Sequence, residues 1–376
     1  SSVQQTISLL KSTDTTFYDL AYHYFFRKER HPIAHAIWAD SKETALGELQ
    51  SLLTEETPAI HLDKPKSDIA FVYSGNGCQW ETMGRTLLDS SPIFRDTIKT
   101  IDAIFEPLAG FSLQDELAGK NGSNRFSQTE IAQPALFALQ VGLTEIFKAQ
   151  HISPKVVTGH SVGEVAAAWA CGALTLTDAI HVIYYRSKYQ GLTAGRGQMT
   201  AVGLDADTTL ALINEHKLER IELAGINSYR GVTVAGDPEQ LSLLEAALKA
   251  QGAFVRRLPL NYAFHSSAMD SIESQVTDSL ASIEPGNSTL PFFSTVTGAE
   301  LSGTELKARY WWDNIRKPVQ FQPAIDALIS QGITTFIEIA AHPVLKSYLN
   351  DELKNTGNEG LVLATVTKNN DSLKNI

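Results

Sequence analysis

Gly159-His160-Ser161-Val162-Gly163 is the feature that leaves this chain the fewest options. It fits G-x-S-x-G and lies between a strand candidate, Lys155-Val156-Val157-Thr158-Gly159, and a segment of helical character from Val162 to Trp169. A serine on such a strand-to-helix turn has an exposed oxygen, and the glycines remove side chains that would block the close approach of strand and helix. The competing reading is a glycine-rich turn with an inert serine. Ile69-Ala70-Phe71-Val72-Tyr73 is a continuous apolar run, as a strand buried on both faces requires, and Thr335-Phe336-Ile337-Glu338-Ile339 reads as a third central strand. Together they predict an α/β sheet flanked by helices.

The rhythm changes between Met199 and Leu260. Thr200–Leu204 reads as strand, Asp207–His216 as helix, Ile221–Asn227 and Gly231–Ala235 as a strand pair, Pro238–Gln251 as helix and Ala253–Leu258 as strand. That order, β-α-β-β-α-β, is ferredoxin-like. Inserted in a larger α/β domain, such a unit creates a cleft at the join. Near the N-terminus, Ala34–Trp38 reads as a strand and Ser41–Leu53 as a capped helix, before prolines and charges over Thr57–Ser67 mark a domain boundary.

Composition removes several function classes. At roughly 150 residues per domain, 376 residues suggest two or three units. Lys and Arg number 31 against 42 Asp and Glu, so 31 − 42 = −11, the wrong sign for a binder of nucleic acid. Two cysteines, Cys78 and Cys171, offer neither a disulfide framework nor zinc spacing. The longest stretch of small or apolar residues, Ala166–Leu174, falls far short of the roughly 20 residues a bilayer requires, and the polar start is no signal peptide. The expectation is a cytoplasmic chain without a membrane partner, and its opening on Ser suits a segment of a longer polypeptide, with processing or a removed tag as the alternatives.

A serine hydroxyl needs a base. His23, His31, His35, His61, His151, His181 and His216 read as surface or helix residues; His160 adjoins the serine and reads as a packing or turn-fixing residue, and His342 precedes a proline at a strand end. His265, in Asn261-Tyr262-Ala263-Phe264-His265-Ser266, returns the chain to the cleft and is the strongest candidate, a structural histidine being the alternative. Arg186 falls on the apolar face of a helix over Asp178–Tyr189, with Ala179, Val182 and Ile183. A buried guanidinium there requires an anion, either an internal carboxylate or that of a substrate. The loop Gly75-Asn76-Gly77-Cys78-Gln79 is placed to offer a backbone N–H that, with that of Val162, would make a two-donor oxyanion hole; it lacks the ending of a phosphate loop. No spacing completes a metal site.

These residues in this order resemble the malonyl-CoA:acyl carrier protein transacylase family, and within it the acyltransferase domains of polyketide synthases, from about Asp68 to Leu349. Phe71–Trp80 is similar to the family's F-V-F-P-G-Q-G-x-Q-W, departing at Tyr73, Ser74 and Asn76. Thr129–Ala135 resembles the segment whose glutamine, here Gln133, lines the acyl pocket. Gly159–Glu164 resembles the nucleophile motif, and Arg186 matches the carboxylate-binding arginine. His265 stands where the family has its general base. Tyr310–Val319 resembles Y-W-x-x-N-L-R-x-P-V, which makes Asn314 the residue that orients the base through its carbonyl.

The resemblance implies an α/β-hydrolase-like large subdomain with a parallel sheet (residues 68–198 and 261–358), an inserted ferredoxin-like small subdomain (199–260), a small α/β linker domain before it (1–67) and a tail (359–376) that wraps back onto the linker. It implies an acyl-CoA donor and a phosphopantetheinylated acyl carrier protein as acceptor, with no cofactor in the domain itself. Ketosynthase and other domains of the same polypeptide are the expected neighbours. For the acyl group, Tyr262-Ala263-Phe264-His265 is a hybrid: Phe264 resembles the malonyl pattern and Tyr262 the methylmalonyl one. Phe264 beside the base would crowd an α-methyl, and Val162 is the small aliphatic residue of malonyl-selective members, so malonyl-CoA is the expected donor. Methylmalonyl or another acyl-CoA is the alternative, and a serine esterase or thioesterase and a non-catalytic docking module are the rivals from other classes.

Overall fold

The computed structural model describes residues 2–12, 16–27, 33–54, 60–61, 68–123, 125–368 and 370–373. It divides into two units, residues 1–66 and 67–376. In the first, the helices Ser2–Lys11, Phe17–Tyr22 and Lys42–Thr54 bury Ile7, Leu10, Leu20, Ala45 and Leu49 together. Ser41 caps the last of these, its Oγ accepting from the Thr44 N–H at 3.1 Å. Strands β1 (Ile33–Ala34) and β2 (Ile60–His61) pair antiparallel. The strand expected over Ala34–Trp38 is not extended past Ala34, because Ile37 and Trp38 face solvent with no sheet to bury them. Apart from β2, the boundary expected over Thr57–Ser67 lies outside the described residues.

The second unit is built on six strands: β3 (Ile69–Tyr73), β4 (Val156–Gly159), β9 (Phe292–Ser294), β10 (Ala299–Leu301), β12 (Thr335–Ile339) and β13 (Leu361–Ala364). Their order is β10-β9-β4-β3-β12-β13, parallel throughout except for the antiparallel edge strand β10. Burial on both faces explains the unbroken apolar run of β3, and β4 is likewise buried along its length. The segment after residue 359 supplies β13, and Asp371 accepts from the N–H groups of Gly84 and Thr86 at 2.7 and 3.2 Å. It therefore completes the sheet and caps a helix of the same unit.

Residues 198–257 form β5 (Gln198–Val202), a helix (Ala206–Glu215), β6 (Ile221–Ser228), β7 (Gly231–Gly236), a helix (Pro238–Ala250) and β8 (Val255–Arg257). The sheet order β6-β7-β5-β8 is ferredoxin-like, and Val202, Leu212, Val234, Leu241, Leu244 and Leu248 form its own core. The small sheet also recruits β11 (Val319–Gln320), which pairs parallel to β6. Two residues downstream of the insertion thereby tie the small sheet to the chain beyond His265.

One helix braces the loops around the nucleophile turn. Thr129–Ala149 is buried on nearly every side, and from its interior Gln140 donates Nε2–H to the carbonyl oxygens of Ser74 and Ile339 at 2.7 and 3.1 Å. That clamp joins the ends of β3 and β12 beneath the loop that begins at Ser74. Ser74 Oγ adds a bond to the buried Glu338 carboxylate at 2.7 Å.

Candidate active site

Ser161 occupies the turn between β4 and the helix Gly163–Ala170 with φ +54°, in the left-handed region an L-residue rarely adopts. The flanking glycines make this turn possible. A Cβ on Gly159 would lie 2.3 Å from the Glu164 nitrogen, and one on Gly163 only 2.1 Å from the Tyr73 carbonyl oxygen. A Cβ on Gly75 would stand 2.7 Å from the His160 carbonyl oxygen, so the loop after β3 also reaches the turn only as glycine. Among the described residues, the N–H groups of Asn76 and Val162 donate to no other protein group. His160 packs its ring against Phe321 and bonds Asn227 Oδ1 through Nε2 at 2.8 Å, a turn-fixing role.

His265 reaches Ser161: its Nε2 lies 2.8 Å from the serine Oγ. Its Nδ1 lies 2.9 Å from the Lys317 carbonyl oxygen, which can only accept, so the ring proton sits on Nδ1 and the Nε2 lone pair faces the hydroxyl. Burial, and then the Arg186 charge, push the imidazole down to about 3, so it is neutral at pH 7. A neutral imidazole aimed at a serine hydroxyl is competent to take its proton.

Asn314 does not hold the base. Its Oδ1 accepts from Arg186 Nε at 3.1 Å, while Nδ2 donates to the Ser161 carbonyl oxygen at 3.1 Å and to Glu164 Oε2 at 2.7 Å. The carbonyl that orients His265 comes from the backbone three residues later, where the helix Ala308–Arg316 has ended and its exit brings the Lys317 C=O to Nδ1.

Arg186, on the helix Leu176–Gly191, is 1% exposed. Its Nη1 donates to Gln133 Oε1 at 2.5 Å and to Gln190 Oε1 at 2.8 Å, and its Nη2 reaches Ser161 Oγ at 3.1 Å. Three neutral amide oxygens therefore hold a buried cation. Desolvation lowers its pKa to about 9, opposed by the Glu164 charge, and it remains protonated at pH 7. Gln133 is fully buried and acts on Arg186; its Nε2 bonds Thr129 Oγ1 and Gln190 Oε1. Tyr262 and Phe264 stack 4.8 Å apart at 10°, both nearly buried. Among the described residues no group of three or more His, Cys, Asp or Glu is placed to hold a metal ion.

A family model for the acyl transferase domain matches residues 70–375. The chain belongs to the acyl transferase domain family. Among relatives of this domain, polyketide synthase GfsE of Streptomyces halstedii is 36% identical over 324 residues, 85% of this chain but only 8% of that protein. The acyltransferase domain from module 8 of the salinomycin polyketide synthase superposes with a TM-score of 0.93 at 31% identity, covering 100% of this chain and 89% of that one. A loading acyltransferase from the avermectin modular polyketide synthase gives 0.78 at 34%, covering 82% and 96%. The chain is thus an acyl transferase domain of the polyketide synthase kind, with the two-subdomain fold expected. Among its described residues, no helix is long and apolar enough to cross a membrane.

Residue-by-residue reading missed three members of this site in the acyl transferase domain. Lys317 contributes a backbone oxygen, which leaves no mark in a side-chain pattern. Gln190 stands one turn after Arg186, at the i+4 spacing that identifies a partner. Glu164 is a carboxylate in the otherwise apolar stretch Val162–Ala168, fully buried and raised to about 7 by desolvation against four hydrogen bonds.

Proposed function

We propose that this domain moves a malonyl group from CoA to the phosphopantetheine thiol of an acyl carrier protein through an acyl-Ser161 intermediate. The observation that carries the reading is Arg186: a buried cation held by neutral oxygens, with Nη2 beside the serine oxygen. Leaving a charge so placed without an anion costs several kcal/mol in order of magnitude, which a substrate carboxylate offsets. A simple esterase has no duty for it.

His265 Nε2 takes the Ser161 proton as Oγ attacks the thioester carbonyl. The N–H groups of Asn76 and Val162 receive the oxyanion, each donor worth about 3 kcal/mol if well aimed. Collapse expels CoA thiolate, which takes the proton from His265, and leaves the acyl-serine. The carrier thiol then gives its proton to His265, attacks the ester, and Ser161 leaves with that proton, a ping-pong cycle. Nη2 of Arg186 turns from Ser161 Oγ to the free carboxylate of the malonyl unit, fixing the thioester at the nucleophile. The cycle so written calls on no cofactor within the domain. In this reading residues 1–67 are the linker before the domain, the polypeptide works in the cytoplasm, and a ketosynthase and other domains are its neighbours on one chain.

Malonyl is favoured over methylmalonyl because the Phe264 ring, stacked on Tyr262, stands one residue before the base. One methyl shifts selectivity by only about 1–3 kcal/mol, so methylmalonyl leakage is part of the reading. The test is acylation and transfer to a carrier thiol with malonyl-, methylmalonyl- and acetyl-CoA side by side. The expected order is malonyl, methylmalonyl, acetyl; preferential acetyl transfer, or hydrolysis without transfer to the thiol, overturns it.

A further inference from the structure

We infer that Glu164 is a positioning residue for acid-end recognition, acting through Asn314 on Arg186. The inference rests on the proposed role of Arg186 and assigns a task to a carboxylate that takes no part in the proton transfers.

Glu164 is fully buried on the helix that begins at the nucleophile turn. Its Oε1 receives the Thr295 N–H and lies 2.9 Å from Thr295 Oγ1; its Oε2 accepts from Tyr310 Oη at 2.6 Å and from Asn314 Nδ2 at 2.7 Å. These partners come from separate parts of the chain, so the carboxylate cannot swing. Its consequence lies in Asn314. Because Glu164 and the Ser161 carbonyl are both acceptors, the two hydrogens of Asn314 Nδ2 are committed to them. The amide is then locked in one of its two orientations, and Oδ1 has to face Arg186 Nε. With Nε and Nη1 held, Nη2 is the part of the guanidinium left toward Ser161.

The arrangement also solves an electrostatic problem. A carboxylate bonded directly to Arg186 would neutralise it and compete with the substrate; a carboxylate one amide away stabilises the buried cation while leaving Nη2 turned toward Ser161. Asn314 is the spacer.

The expected signature is selective. Glu164→Gln puts an amide among fixed donors, so either Asn314 or Thr295 meets an N–H, and the orientation of Asn314 is no longer enforced. Acylation kcat/KM for malonyl-CoA should fall about tenfold, the scale of one charge-assisted hydrogen bond, mainly through KM. Acetyl-CoA, which lacks the acid end, should change less than about threefold, since His265 is held by Lys317 and not by this network. In an Arg186→Ala background the same substitution should not alter the malonyl-to-acetyl ratio further, because the effect runs through Arg186. Equal losses for both donors, no loss for either, or full additivity with Arg186→Ala overturns the inference. If Glu164→Gln does not fold, Glu164→Asp, which keeps the charge but draws it back from Asn314, is read against the same three criteria. Failure of the underlying reading shows separately: Arg186→Ala alone would then leave the malonyl-to-acetyl ratio unchanged.

Discussion

His265 donates its Nδ1–H to the carbonyl oxygen of Lys317 at 2.9 Å, and this fixes which nitrogen faces Ser161. Burial and the neighbouring Arg186 hold the imidazole down to about 3, so the base stays neutral well below the ordinary histidine range. Acylation kcat/KM for acetyl-CoA, which does not draw on the Glu164 network, is therefore expected to remain level from pH 8 through 6.5 to about pH 5, losing rate only as the ring gains a proton at lower pH. Stopped-flow acylation across that range checks it; an acid limb centred near about 6.5 contradicts it. Folding obeys the same sign. The folded imidazole binds its proton less readily than the unfolded one, so its contribution to stability is complete above about 6.5 and is lost as pH falls toward the folded value.

Among the described residues, Arg186 is the one charged group bonded to Ser161 Oγ, and Arg186→Ala removes it. Malonyl-CoA acylation should fall about 100-fold, the scale of two charge-assisted hydrogen bonds, while acetyl-CoA gains relative to it. Steady-state comparison of the two donors reads the ratio. Unchanged malonyl transfer with no relative gain by acetyl rules out the carboxylate-receptor role.

Gly163→Ala places a Cβ 2.1 Å from the Tyr73 carbonyl oxygen and 2.8 Å from that of Ser74, so backbone rather than a flexible side chain has to move. The expected cost is about 3 kcal/mol or more, visible as a lower urea midpoint or failure to fold. A variant as stable as the parent would show that the turn tolerates a wider strand-to-helix gap.

Phe264→Ser deletes the ring stacked on Tyr262 and opens space before the base. Methylmalonyl use relative to malonyl should rise by about tenfold or more, the worth of accommodating one methyl. Competition between the two thioesters measures it, and an unchanged ratio counts against crowding by Phe264.

What the sequence made legible was whatever rests on local side-chain pattern. The glycines around Ser161, the apolar run of β3, the ferredoxin-like alternation and the position of Arg186 on an apolar helix face all leave local marks. What escaped depends on long-range placement. The partner of His265 is a backbone carbonyl, and any residue at 317 would supply one. β9 and β11 are three and two residues long, too short for alternation to register, and exist because β4 and β6 lie beside them. Glu164 was the detectable omission: a charge in an apolar helix near the nucleophile calls for a buried partner, and Asn314, Tyr310 and Thr295 supply it.

Intact-mass measurement of the chain after brief mixing with malonyl-CoA tests the central claim most directly. The account predicts a stoichiometric gain of one malonyl group, absent from Ser161→Ala and released by a carrier thiol. An unmodified parent protein, or an adduct that persists in Ser161→Ala, contradicts it.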